Sequence, residues 1–207
     1  MFQAELQKFH DVRQATLQLA KGLTQEQSKF SLAPGKWSAG EVLHHVLLAE
    51  QLYWEKFEQL IALRKAGQTA EMGTSFAEIN TSVLFIPKGM LPLLDVPFTM
   101  MNWFVPAAVR ETLTRHRLMP AQAPSIAQPQ KGKSLAELRE VLRSSLEATE
   151  KLFTANPDLD YHAMRFSHPL MGRNDVVQVL RIMSLHEQRH QDQIRDVLRS
   201  AAFPKPR

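Results

Sequence analysis

The segment His186–His190 reads HEQRH and has the clearest chemical potential in the sequence. Two histidines four residues apart on an α-helix differ by about 40° in direction, so their imidazoles can share one metal ion. Apolar residues within about 60° of His186 include Val179, Met183 and Val197. The pair therefore faces inward, where imidazoles need hydrogen-bond partners or a metal to offset their desolvation. Two partly buried surface histidines at a chance spacing are the alternative.

A third ligand has to come from another helix, and the neighbouring histidines His44 and His45 offer it. His45 lies about 60° from the centre of the apolar stripe of its helix, whereas His44 lies about 160° away. We therefore choose His45 as the ligand and expect His44 to be solvated or to make a partner contact. Three imidazoles leave the fourth tetrahedral position open to water or substrate, which is the arrangement of a catalytic zinc site.

Two further residues are expected close to this site. Gln193 lies one turn beyond His190 and either contacts a bound water or substrate or packs as an amide between helices. Glu41 lies one turn before His45 and is a candidate carboxylate behind that ligand, although a helix-capping role also explains it. The other histidines are expected to be ordinary polar or capping groups: His10, His116, His162 and His168.

The composition narrows the chemistry further. The 207 residues include no cysteine, which excludes a disulfide scaffold, a thiolate zinc site, an iron-sulfur cluster and a cysteine nucleophile on this chain. The formal net charge of +4 suits small anionic molecules or acidic surfaces and is too small to indicate nucleic-acid binding. The length predicts one domain.

Four stretches have helical periodicity, and none has convincing strand alternation. They cover about residues 3–22, 38–65, 134–155 and the stretch from after Gly172 to about 200. Ser38 and Ser134 each begin a capping-box spacing, and Asn174 is the expected cap of the last helix. The pattern predicts an all-α, four-helix bundle. Between about 66 and 133 we expect a long apolar crossover with a short helix around 105–117.

The apolar part of this crossover, residues 83–109, has several interpretations. Residues 90–109 approach the length of a membrane span, but three prolines argue against a spanning helix. Intramolecular packing, a substrate lid, a dimer contact and an interfacial membrane segment remain open. We expect a homodimer and no membrane association. The first residues lack the pattern of a secretory signal, so a cytoplasmic location is expected.

Together these motifs resemble the DinB-like superfamily of bacterial metal-binding four-helix bundles. The family's tryptophan-serine start of the second helix and its single histidine correspond to Trp37, Ser38 and His45. Its paired histidines, its arginine and its trailing glutamine correspond to His186, His190, Arg189 and Gln193. The resemblance covers the four predicted helices and leaves much of 66–133 unmatched.

The resemblance also implies a function. Relatives include mycothiol-dependent maleylpyruvate isomerase and bacillithiol S-transferases, in which a divalent metal activates the thiol of a cofactor. By this resemblance His45, His186 and His190 would hold Zn²⁺ or Ni²⁺, and an external low-molecular-weight thiol would take the open position as a thiolate. The expected function is a metal-dependent thiol S-transferase that acts on small electrophiles.

Two alternatives remain. HEQRH also matches the HExxH motif of metalloproteases, in which Glu187 would be the base. Residues 191–207, which follow His190, contain no glutamate or histidine that could be the third ligand of a metalloprotease. The enzyme alternative is therefore a metal-dependent hydrolase of a small substrate in which His45 is the third ligand. Glu187 projects about 100° from His186 and would miss the metal. The other alternative is a non-catalytic binding or dimerisation module with an apolar interface at 83–109.

Overall fold

The structure is a computed structural model, and it describes residues 2–75, 106–116, 125–168 and 172–205. This part of the chain is mostly helical. Its α-helices are α1 (Phe2–Lys21), α2 (Gln25–Ser28), α3 (Ala39–Lys65), α4 (Ala107–Arg115), α5 (Leu135–Thr154) and α6 (Val176–Leu198). A short 3₁₀ turn covers Ser125–Ala127. The four long helices pack together, since α1 and α3 each contact both α5 and α6.

The long helices begin close to where the capping signals place them. Ser38 accepts a hydrogen bond from the backbone N–H of Glu41 at the start of α3, and Ser134 does the same for the N–H of Glu137 at the start of α5. The expected cap of α6 was wrong by one residue. Its N-cap is Asp175, whose carboxylate accepts from the N–H of Gln178 at 2.7 Å. Asn174 instead lies in a strand, which delays the start of the helix.

A small sheet was not predicted from the sequence. Its strands are β1 (Glu71–Gly73), β2 (Arg165–His168) and β3 (Gly172–Asp175), and their order in the sheet is β1-β2-β3. β2 pairs in parallel with β1 and antiparallel with β3, so that Phe166 lies opposite both Met72 and Asn174. Strands of three or four residues are too short for a recognisable alternation of apolar and polar residues. The sheet joins the end of α3 to the connection that precedes α6.

The apolar core is divided into two clusters along the long helices. The cluster beside the sheet contains Phe9, Phe57, Phe153 and Leu180, and the other contains Val42, Leu43, Leu142 and Ile194. Each cluster receives residues from α1, α3, α5 and α6. The residues between the two clusters on these helices include buried polar and charged groups, so the core has a polar layer near its middle.

Arg13 of α1 lies at the centre of this polar layer and has no exposed surface. Its Nη2 lies 2.8 Å from a carboxylate oxygen of Glu50 on α3, and its Nε lies 2.9 Å from one of Glu187 on α6. Its Nη1 donates to the carbonyl oxygen of Leu142 and the hydroxyl of Ser145 on α5. One side chain therefore links all four long helices.

Electrostatic attraction stabilises the contacts of Arg13 with Glu50 and Glu187. Burial by itself would lower the pKa of Arg13, but the negative charges of Glu187 and Glu50 outweigh that effect and raise it. Glu50 also accepts hydrogen bonds from the hydroxyls of Ser145 and Thr149. Each buried carboxylate is thus paired and hydrogen-bonded, which is the condition under which buried charges are tolerated.

A second polar contact ties α1 to α6 next to the ion pairs. The amide nitrogen of Gln191 donates to the carbonyl oxygen of Val12 at 2.7 Å and to the hydroxyl of Thr16 at 3.0 Å. Gln191 lies one turn beyond Glu187, so two successive turns of α6 are bonded to α1 along one side.

The short helix expected around 105–117 is present as α4. It packs on α6, where its Arg115 forms an ion pair with Asp192 at 2.7 Å. Residues 83–105 of the predicted apolar segment lie outside the described residues. Within the described residues, no helix combines the length and the apolar character needed to cross a membrane.

Removal of Arg13 tests the role of the polar layer. We expect Arg13→Met to lower the free energy of unfolding by about 3–5 kcal/mol, because Glu50 and Glu187 lose their buried counter-charge. Neutralising both carboxylates in Arg13→Met/Glu50→Gln/Glu187→Gln should recover part of this loss. Urea denaturation followed by circular dichroism measures both. The control is Arg143→Met, which removes an exposed arginine paired with Glu140 and Glu147 and should change the midpoint little. Equal effects of the two single variants would contradict this interpretation.

Candidate metal centre

The three histidines chosen from the sequence lie together in the structure. His45 comes from α3, and His186 and His190 come from successive turns of α6. Their ligand nitrogens all lie within 4.8 Å of one another, and the Nε2 atoms of His186 and His190 are 3.2 Å apart. Within the described ranges, no other group of three histidine, aspartate or glutamate residues forms such a cluster. The geometry therefore supplies three nitrogen donors around one point, as zinc and nickel sites use.

Burial favours the neutral form of two of these imidazoles. His45 and His190 are buried, and His186 is partly buried. Burial lowers the pKa of His45, with a smaller contribution in the same direction from the charge of Arg189. The pKa of His186 lies well below its usual value because of burial and the proximity of His190 and Arg189. Since a metal binds only the neutral imidazole, His45 and His186 need to lose no proton to solvent at neutral pH before an ion can bind.

Hydrogen bonds fix which nitrogen of two of the three rings can act as a ligand. The Nδ1 of His45 lies 2.7 Å from the carbonyl oxygen of Ala127, so that Nδ1 carries the proton and Nε2 has the free lone pair. The Nδ1 of His190 lies 3.0 Å from the side-chain oxygen of Gln193, so that Nδ1 carries the proton and Nε2 is the nitrogen with the lone pair. This Nε2 lies 3.2 Å from Nε2 of His186 and accepts a hydrogen bond from the guanidinium of Arg189 at 3.1 Å, which a metal ion would replace.

Trp37 forms one wall of the histidine cluster. The centre of its ring lies 4.7 Å from that of His45 and 6.4 Å from that of His190. Trp37 directly precedes the cap of α3, so the start of this helix places an aromatic ring beside the ligand set. An aromatic wall at this point excludes water from one side of the cluster.

The comparison with known proteins agrees with this geometry. A family model of the DinB superfamily matches residues 8–194. The chain belongs to the DinB superfamily. This confirms the family suspected from the tryptophan-serine start of α3 and from the histidine pattern. No curated protein and no solved structure matches the chain.

In this DinB superfamily protein, His44 does not behave as its helical angle predicted. It was expected to be solvated or to make a partner contact, but it is buried. Its Nδ1 accepts a hydrogen bond from the backbone N–H of Gln130 at 2.9 Å. Burial and the nearby charge of Lys133 lower the pKa of His44, which favours the neutral form that this bond requires. Segment 127–130 covers this side of α3, and the sequence contains no signal for a contact made by backbone groups.

Three polar residues near the histidine cluster have different contacts: Gln193, Glu41 and Glu187. Gln193 orients His190 through its side-chain oxygen, and its expected contact with a bound water or substrate stays a prediction. The carboxylate of Glu41 accepts from the N–H and the hydroxyl of Ser38, at 2.9 and 2.8 Å, so its capping role is confirmed. Glu187 pairs with Arg13 on the other side of α6. The carbonyl of Ala127, and neither carboxylate, is the group behind His45.

The other four histidines lie outside the cluster. His10 contacts Glu150, and His162 contacts Asp175 at 3.0 Å. His116 is exposed at the end of α4. His168 is partly buried in β2, and this burial lowers its pKa to about 4.

Metal content tests the cluster directly. Protein purified without chelator is expected to contain about one divalent ion per chain, because the three nitrogens surround one position. His45→Ala, His186→Ala and His190→Ala should each reduce the content strongly, as measured by inductively coupled plasma mass spectrometry. His116→Ala removes an exposed histidine and is the matched control. Negligible metal in the wild-type protein, or equal retention in all variants, would refute the site.

The role of Gln193 has a separate test. Gln193→Ala removes the acceptor that fixes the Nδ1 proton of His190, and we expect metal affinity to fall by about 10- to 100-fold. Competition with a fluorescent chelator measures this affinity. Gln188→Ala changes a glutamine on the same helix that has no described contact with the cluster, and it should retain the wild-type affinity. The prediction fails if the two variants bind alike.

Proposed function

We propose that this DinB superfamily protein binds a divalent metal ion through His45, His186 and His190 and is a metal-dependent thiol S-transferase for small electrophiles. The observation that carries the proposal is the convergence of three imidazoles from two helices, with ligand nitrogens within 4.8 Å of one another. Zn²⁺ and Ni²⁺ suit such a nitrogen donor set. We also infer that the four long helices form a bundle of the DinB type and that residues 66–133 are its crossover.

A three-histidine set leaves a coordination position for an external ligand. When bound, the metal supplies Lewis-acid chemistry that lowers the pKa of a thiol, as it does for water. The sulfur has to come from outside, because the chain contains no cysteine. In the transfer, the sulfur forms a bond to the electrophilic carbon, the thiol proton goes to solvent, and the leaving group departs with its electron pair.

The residues around the ligands prepare the site for this chemistry. The carbonyl of Ala127 and the side chain of Gln193 hold the rings of His45 and His190 so that Nε2, and not Nδ1, is the donor atom directed at the cluster. Trp37 shields the cluster from water on one side. The guanidinium of Arg189 lies beside His190 and favours an anionic ligand over a neutral one. A thiolate is such a ligand.

The arrangement of charges favours thiol transfer over hydrolysis. A metal-dependent hydrolase of the HExxH type uses its glutamate as a general base. Here both carboxylate oxygens of Glu187 accept hydrogen bonds from Arg13, at 2.9 and 3.0 Å, on the α1 side of α6. A thiol with a lowered pKa reacts without a protein base, whereas water attack usually depends on one. The non-catalytic alternative depends on residues 83–109, most of which lie outside the described residues.

A thiol screen tests the proposal. Metal-loaded protein is mixed with a small electrophile and with each of several low-molecular-weight thiols, including mycothiol and bacillithiol, and the loss of free thiol is followed with a chromogenic reagent. We expect one thiol to be consumed faster than in the absence of protein, and this acceleration to disappear in His186→Ala and after chelation. His116→Ala should remain active. Hydrolysis of esters or amides without any thiol would instead identify a hydrolase.

A further inference from the structure

We propose that a cleft at the start of α3 binds a small anion that carries phosphate or carboxylate groups. The cleft has a volume of about 300 Å³ and lies between three parts of the chain: residues 28–36, residues 38–41 and residues 131–133. This volume is at the lower end of the range for small-molecule pockets. The inference goes beyond the thiol-transferase proposal and does not depend on whether a metal binds.

Charge is the first observation that points to an anion. Lysines line the cleft from both sides: Lys29 and Lys36 from one, and Lys131 and Lys133 from the other. Glu41 is the only acidic residue in its lining, so the formal charge of the lining is four minus one, or +3. The whole chain has a net charge of only +4. Positive charge is therefore concentrated at a concave site, where the potential is strongest.

The second observation is that most of the lysines in the cleft form no ion pair with a described residue. Lys29 has an exposed contact with Glu26 at 3.5 Å. Among the described residues, Lys36, Lys131 and Lys133 have no carboxylate within 4.0 Å. The carboxylate of Glu41 is hydrogen-bonded to the N–H and hydroxyl of Ser38 and forms no ion pair with these lysines. Three lysines thus line a common space without an ion-pair partner among the described residues, and a bound anion would relieve their mutual repulsion.

The positive potential comes from side chains and not from the helix end alone. Ser38 already accepts from the N–H of Glu41 in the first turn of α3. The partly buried Ser31 adds a hydroxyl to the lining. Lysines and hydroxyl groups are common partners of phosphate and carboxylate oxygens. The volume of the cleft fits one such small molecule.

The cleft shares a chain segment with the histidine cluster. The residues just before Lys131 provide the carbonyl of Ala127 that bonds His45 and the N–H of Gln130 that bonds His44. On the other side of the cleft, Lys36 directly precedes Trp37. An anion held between Lys36 and Lys133 would therefore stabilise the two segments that lie against the histidine cluster.

Titration with defined anions tests the proposal. ¹⁵N-labelled protein is titrated with inorganic phosphate and, separately, with succinate, and the backbone amide signals of Gly35 and Gly132 report on the cleft. We expect a saturable shift of both signals with at least one anion. Lys36→Gln/Lys133→Gln should weaken this binding about tenfold or more, because it removes one cation from each side. Lys131→Gln is a milder variant for use if the double variant is unstable.

Controls separate specific binding from general charge effects. Lys21→Gln/Lys151→Gln removes two exposed lysines outside the cleft, so it changes the net charge equally and should bind like the wild type. His186→Ala should also bind normally, which distinguishes this site from the histidine cluster. Saturation with phosphate alone identifies a phosphate site, and saturation with succinate alone identifies a carboxylate site. No saturable shift with either anion, or equal weakening in both double variants, would overturn the proposal.

Discussion

The buried guanidinium of Arg13 is the interaction on which the arrangement of the long helices depends. A single cation without solvent contact is satisfied by Glu50 of α3, Glu187 of α6 and acceptors on α5. Because burying a charge without such partners costs several kcal/mol, the helices cannot slide or rotate independently. This layer therefore sets the relative depth of all four long helices, which the two apolar clusters on either side would specify less strictly.

The ion pairs of Arg13 also fix the position of the histidine cluster. Glu187 follows His186 directly, so the turn of α6 that presents a carboxylate to α1 also presents an imidazole towards α3. On α3, His45 and Glu50 are separated by little more than one turn. The cluster thus lies at the level of the polar layer, where burial lowers the pKa of His45 and His186 and keeps both rings neutral.

Periodicity and capping chemistry explain why much of this was predictable. The helical angles correctly placed His186 and His190 beside His45, and they correctly turned Glu187 away from the cluster. The cap of α6 and the small sheet were missed because Asn174 and Asp175 are both good caps, and strands of three or four residues leave no periodic signal. The buried position of His44 and the carbonyl of Ala127 depend on where a distant segment packs. Backbone partners of this kind carry no side-chain signature.

The contacts of α6 with α1 restrict the movement of His186 and His190, which lie on the adjacent face of α6. Glu187 and Gln191 are bonded to α1, and they alternate along the helix with His186 and His190, each pair spanning one turn. A rotation of α6 that adjusted the imidazoles to an ion would break both contacts. The donor set is therefore preorganised: the conformational entropy of gathering three rings is lost when the chain folds, before any ion arrives. Discrimination among ions would then follow from how well each one's preferred geometry matches a nearly rigid set of nitrogens.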